Sequence, residues 1–118
     1  MRTIALHGFT GEGADFADLR SHLPAAADCL APDLPGHGAR RGLRQVDDYS
    51  LAAHLKIIDE VVGDQEGVTV IGYSMGGRLA LHWALANPTR WRRLILIGAS
   101  PGLITAEERA ERQLADAA

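Results

Sequence analysis

The sequence predicts an α/β fold with a parallel sheet of about four strands, joined by right-handed crossovers. Three observations predict it. Short apolar runs alternate along the chain with segments whose apolar residues recur at helical spacing. The runs are continuously apolar, as expected of strands covered on both faces. Glycine and proline concentrate between these segments, where turns are required.

Each element has its own signal. Thr3 to Leu6 is an apolar run that ends at His7-Gly8. From Ala14 to Leu23, Phe16, Leu19 and Leu23 stand at helical spacing, and Pro24 stops that helix. Asp28 to Ala31 reads as a second buried strand, followed by the loop Pro32-Asp33-Leu34-Pro35-Gly36-His37-Gly38. Ser50 can cap a helix whose stripe is Leu51, Leu55, Ile58 and Val62, and Gly63 ends it. Val68 to Ile71 is a third strand. A helix from about Met75 to Ala86 halts at Asn87-Pro88. Leu94 to Ile97 is a fourth strand. Thr105-Ala106-Glu107-Glu108 is a capping box that opens a charged helix with Leu114 on its sparse apolar face.

Composition narrows the function classes. The chain has 118 residues, 47% of them apolar and 23% charged, which excludes intrinsic disorder. Its 12 basic and 15 acidic residues give a net charge of −3, so no basic field exists to hold nucleic acid. No apolar run approaches the roughly 18 residues of a membrane span. The first strand starts almost at once, which leaves no room for a signal peptide. Cys29 is the single cysteine, so neither an internal disulfide nor a cysteine zinc cluster can form. The expectation is a cytoplasmic protein without metal or other cofactor.

The strongest chemical signal is Gly72-Tyr73-Ser74-Met75-Gly76, a G-x-S-x-G between a predicted strand and a predicted helix. That context suits a nucleophile elbow. Ser74 would sit on a sharp turn with its hydroxyl above the sheet. Side chains at Gly72 or Gly76 would collide with the neighbouring helix and strand. The helix N-terminus behind Ser74 favours developing negative charge. Oxyanion donors would be the backbone amides of Met75 and Phe9, the latter in His7-Gly8-Phe9-Thr10 after the first strand. Gly8, Gly11 and Gly13 are spaced G-x-x-G-x-G with no Gly-Lys-Ser/Thr after them, which rules against a phosphate loop.

The remaining polar residues carry two readings each. His7 is either catalytic or a buried histidine bonded to loop carbonyls, and the second is expected. His37 could be a base, but is expected to order its own loop. His22, His54 and His82 lie on helices and read as surface residues. Trp83 and Trp91 read as core and lid packing. Arg78, one turn into the helix behind Ser74, is unfavourable for the helix dipole. It could bind a substrate carboxylate; an ordinary solvated arginine is the alternative. Arg109 and Arg112 lie on the charged last helix, where solvated surface is the default.

Together, Leu6-His7-Gly8-Phe9, Asp33-Leu34-Pro35-Gly36-His37-Gly38 and Gly72-Tyr73-Ser74-Met75-Gly76-Gly77 resemble, in order, segments of the α/β-hydrolase superfamily. Within it the chain most resembles the 2-succinyl-6-hydroxy-2,4-cyclohexadiene-1-carboxylate synthases of menaquinone biosynthesis. His7-Gly8-Phe9-Thr10-Gly11, Arg78 directly after Gly76-Gly77, and Ser100-Pro101-Gly102-Leu103 followed by Ala106 to Gln113 carry that resemblance. It implies a lyase that removes a ring proton and expels pyruvate from 2-succinyl-5-enolpyruvyl-6-hydroxy-3-cyclohexene-1-carboxylate. By position it implies Ser74 as the catalytic serine, Tyr73, Arg78 and Arg112 as binders of a small polycarboxylate substrate, and Arg109 as surface.

The superfamily's triad runs serine, then acid, then histidine. After Ser74 the only histidine is His82, roughly 12 Å along the same helix and turned about 80° from it. The expectation is therefore an N-terminal portion of a longer enzyme, with 1–100 as partial core and 101–118 as the start of a lid. A serine carboxylesterase of the same fold and a non-catalytic carboxylate-binding module remain as alternatives.

Overall fold

A computed structural model of the chain describes residues 2–42, 45–99 and 106–117. Its sheet has four parallel strands in the order β2-β1-β3-β4, with β1 at Thr3–Leu6, β2 at Cys29–Leu30, β3 at Val68–Tyr73 and β4 at Trp91–Ile97. The helices are α1 (Ala17–His22), α2 (Leu51–Val62), α3 (Met75–Ala86) and α4 (Ala106–Ala117). Among the described residues no helix is long and apolar enough to cross a membrane.

The register positions the site. β1 pairs with β3 from Thr3–Thr69 through Leu6–Gly72, so both strands stop at the same level. His7-Gly8 therefore emerges beside Tyr73-Ser74. The core lies between one sheet face and α2 and α3. Ile4, Leu6, Val68 and Val70 from the strands meet Ile58, Val62, Leu79, Ala80 and Trp83 from the helices, with Leu34 reaching in from a loop. Trp83 is fully buried, and its indole N–H donates to Asp59 Oδ1 at 2.8 Å.

α2 and α3 begin and end where their punctuation predicts. The Ser50 hydroxyl accepts the Ala53 amide at 3.1 Å, and Gly63 leaves α2 with φ +59°. Of the α2 stripe, Ile58 and Val62 are buried, but Leu51 is exposed. The helix expected over 14–23 is instead a 3-10 turn at Gly13–Phe16 followed by the six-residue α1, which buries nothing. The second strand is two half-buried residues, because Asp28 is left-handed at φ +44° and breaks the extended run. β3 and β4 are longer than their apolar runs, because ladder pairing recruits Gly72, Tyr73, Trp91 and Arg93, with a register shift that leaves Arg92 unpaired in the ladder. β4 also corrects the expectation that both faces are covered, since Ile95 and Ile97 are exposed. Trp91 belongs to β4, not to a lid, and its indole N–H donates to Ala84 O at 3.0 Å. On α4, Leu114 is exposed. Ser100 to Leu103, the Thr105 cap and the Arg109 side chain lie outside the described residues.

Candidate functional site

Ser74 stands between β3 and α3 with φ +51° and ψ −113°, a conformation that non-glycine residues avoid. Three backbone bonds hold it there. Its amide donates to Ile97 O at 2.9 Å, and its carbonyl accepts the amides of Gly77 at 3.0 Å and Arg78 at 3.2 Å. It occupies the N-cap position of α3, yet its side chain accepts no helix amide. The hydroxyl is thus not spent on capping.

The glycines around it are sterically required, as the motif predicts. A Cβ on Gly72 would lie 2.5 Å from Gly76 O, and one on Gly76 would lie 2.5 Å from His7 O and collide with Leu6 O. A Cβ on Gly77 would strike the Ala99 side chain. These close approaches let α3 start against the ends of β1 and β4.

Two clefts flank this turn. The first, about 570 Å³, is lined by Ser74, Met75, Arg78, Gly98, Ala99 and Arg112. It brings the serine and both candidate arginines to one surface, and none of the described lining residues is acidic. Arg78 makes no ion pair with a described residue and stands exposed on α3. The second, about 470 Å³, is lined by His7, Gly8, Phe9, Thr10, Gly11, Asp15, Phe16, Tyr73 and Ile97. Tyr73, half exposed, is in this cleft and not with the arginines. Phe9 is exposed here, and Met75 is in the first cleft. The two candidate oxyanion donors thus line different clefts, Met75 the first with Ser74 and Phe9 the second.

The histidines do other work. His7 is 2% exposed. Its Nδ1–H donates to Gly8 O at 2.8 Å, and its Nε2 accepts the Leu34 amide at 3.0 Å. Burial pushes its pKa below the ordinary histidine value, against an opposing hydrogen bond to Gly8 O. His37 donates from Nδ1 to Pro35 O at 2.9 Å and accepts the Thr10 amide at Nε2 at 3.2 Å. The rings lie 4.9 Å apart. Both therefore serve their loops. His22 and His54 bond backbone carbonyls of their own helices or caps, and His82 is exposed on α3. Among the described residues, none of these histidines hydrogen-bonds Ser74. Without a base a serine hydroxyl is an ordinary alcohol.

Residue-by-residue reading missed Asp33. Its carboxylate accepts the Gly13 amide at 2.8 Å and the Ala39 amide at 3.0 Å, which ties the two loops together. Those bonds, Ala39 first, hold its pKa below the usual carboxylate range. Only part of a signal was present: an aspartate ahead of a Pro/Gly turn commonly accepts nearby amides, but nothing local names Gly13, 20 positions earlier. No group of three or more histidine, cysteine or acidic residues able to hold a metal ion exists among the described residues.

Residues 4–117 match the alpha/beta hydrolase fold family. The chain is 39% identical to the putative 2-succinyl-6-hydroxy-2,4-cyclohexadiene-1-carboxylate synthase of Bacillus subtilis, over 96% of this chain and 42% of that protein. It is 33% identical to the pimeloyl-[acyl-carrier protein] methyl ester esterase of Chromobacterium violaceum, over 88% of this chain and 39% of that one. Among solved structures, MenH from S. aureus superposes with a TM-score of 0.79 at 28% identity, covering 98% of this chain and 44% of its own. The chain thus spans less than half the length of these relatives.

Proposed function

The chain belongs to the alpha/beta hydrolase fold family, and on that premise we propose that it carries the serine side of a lyase site acting in menaquinone biosynthesis. The reaction is elimination of pyruvate from 2-succinyl-5-enolpyruvyl-6-hydroxy-3-cyclohexene-1-carboxylate. A base takes the ring proton at C2, the electron pair forms C2=C3, the ring's 3,4 double bond shifts to C4=C5, the C5–oxygen bond breaks, and the expelled enolpyruvate takes up a proton to become pyruvate. The observation that carries the reading is the first cleft, where Ser74 opens beside Arg78 and Arg112. Two guanidinium groups suit a substrate with several carboxylates, because each can take one in bidentate fashion. The start of α3 adds its own positive end behind Ser74. The amides of Phe9 and Met75 are the proposed donors to developing oxygen charge, Tyr73 borders the substrate from the second cleft, and 101–118 is the proposed start of a lid.

Ser74 has no base among the described residues, so the reaction is proposed for a protein that supplies an acid and a histidine besides these. The test is pyruvate release by that whole protein. Ser74→Ala is expected to lower kcat at least about a hundredfold. Arg78→Met is expected to raise KM about tenfold or more by removing a charge-assisted pair. Undiminished pyruvate release by Ser74→Ala overturns the reading. The similarity to a methyl ester esterase supports a second reading, a serine ester hydrolase of the same fold. Turnover of p-nitrophenyl esters without pyruvate release would favour it.

A further inference from the structure

The loops after β1 and β2 are joined by two hydrogen bonds of the same kind running in opposite directions. The Leu34 amide of the second loop donates to His7 Nε2 of the first at 3.0 Å. The Thr10 amide of the first loop donates to His37 Nε2 of the second at 3.2 Å. Each ring then gives its Nδ1 proton to a carbonyl of its own loop, Gly8 at 2.8 Å and Pro35 at 2.9 Å. A ring that accepts at Nε2 and donates at Nδ1 is neutral, in one fixed tautomer. The pair is a reciprocal brace, and both of its bonds require unprotonated Nε2 atoms.

The two halves of the brace are not equivalent. His7 is buried, whereas His37 is half-buried and lines an open cleft of about 350 Å³. What His37 holds is also under strain, since Thr10 has φ +68°, an outlier for a β-branched residue. The Gly11 amide closes the same turn onto Gly8 O at 3.0 Å. Phe9, the residue before Thr10, sets its ring edge-on to His37 at 5.8 Å. The position of the Phe9 amide is therefore tied to His37 through one residue.

We propose that His37 is a positioning residue for the reaction at Ser74: its neutral ring holds the Thr10 amide, and through it the Phe9 amide, and releases both when it takes a proton. The positioning role rests on the reading of Phe9 as an oxyanion donor; the brace itself does not. Protonated Nε2 would turn a donor toward the Thr10 N–H, so the bond is lost and the strained turn is freed. Among the described residues, the charged and titratable groups facing the pair are Asp33 and Asp15, which act on His7, the two rings, which act on each other, and Arg41 and Tyr49, which line the cleft beside His37. Asp33 has both oxygens occupied by the Gly13 and Ala39 amides, and Arg41 stands 4.0 Å from Glu12.

The experiment follows the Thr10 amide and the histidine ring nitrogens of the 15N-labelled chain by NMR as pH falls from 8 to 5. Thr10 amide exchange, corrected for its intrinsic pH dependence, is expected to rise about tenfold or more in step with protonation of the His37 ring nitrogens. Thr10 protection unchanged through the His37 titration overturns the proposal. His37→Phe keeps a ring against Phe9 but offers no acceptor, and should expose Thr10 at every pH. His37→Gln offers a carbonyl that does not titrate, and should restore protection without pH dependence. If His37→Phe does not fold, the native titration and His37→Gln decide. In turnover by the whole protein, His37→Phe should lower kcat about tenfold or more with little change in KM, and His37→Gln should recover it. An effect on KM alone overturns the positioning role. The amide measurement needs no turnover, so it stands if the Ser74 reading fails, and the reverse also holds.

Discussion

Ser74 has left-handed backbone torsions that glycine tolerates and serine resists. Such a conformation costs about 1–3 kcal/mol and persists only when its surroundings over-determine it. Here those surroundings are the Ile97 carbonyl and the amides of Gly77 and Arg78. Ser74→Gly is accordingly expected to raise unfolding stability by about 1 kcal/mol in urea denaturation, with no such gain for Ser74→Ala. Asp33 is the opposite case, a residue whose value is structural. Asp33→Ala removes the acceptor for two loop amides and should cost about 2 kcal/mol in the same measurement. The sign with pH follows from its lowered pKa. Its contribution is complete above the ordinary aspartate range and is lost as pH falls through the lowered value. Ser74 was legible from five consecutive residues, because the elbow is a local device. Asp33 was not, because its partners lie 20 positions before and six after it.

The elements show the same division. The bounds of α3 were legible, since the serine turn opens it and Asn87-Pro88 closes it. Its junction with β1 is also a firm prediction. Gly76→Ala places a methyl group against the backbone of Leu6 and His7, which cannot retreat without moving β1. A loss of about 3 kcal/mol or more is expected, read by thermal or urea unfolding. By contrast, Phe16, Leu19 and Leu23 stand at helical spacing, yet only Leu19 falls in α1 and none of the three is buried. Periodicity reports which residues could share a face, but burial depends on whether another layer arrives to cover it. The short β2 departs for a different reason: a left-handed Asp28 delays its start to Cys29, and the ladder with β1 runs only over Cys29 and Leu30.

At the scale of the whole molecule, the radius of gyration of 15.1 Å exceeds the roughly 13.5 Å expected of a closed domain of this length. The excess fits what the surface shows. Ile95 and Ile97 are exposed on β4, at one margin of the described sheet, and the described side chains of α4 are all exposed. An apolar strand at a sheet margin is a template for pairing. The 118-residue chain should associate with rising concentration in sedimentation velocity, and Ile95→Lys with Ile97→Lys should reduce that association. Stability should also depend on pH through His7. Between its lowered pKa and the ordinary histidine value, the unfolded chain binds a proton that the fold refuses. Stability therefore rises with pH across that window, is complete above it, and is lost as pH falls through the lowered pKa.

The sequence by itself determined the fold class, the alternation of elements and the serine turn, because these depend on period, punctuation and contacts between near neighbours. It also carried the bland roles of His7 and His37, as loop histidines. Only the tertiary structure decided which loops those histidines join, that Tyr73 parts from the arginines, and that Arg78 and Arg112 meet in one cleft with Ser74. The physical reason is distance along the chain. Arg112 and Ser74 are separated by 38 positions, and no local propensity states where the end of one parallel strand lies relative to a helix that far away.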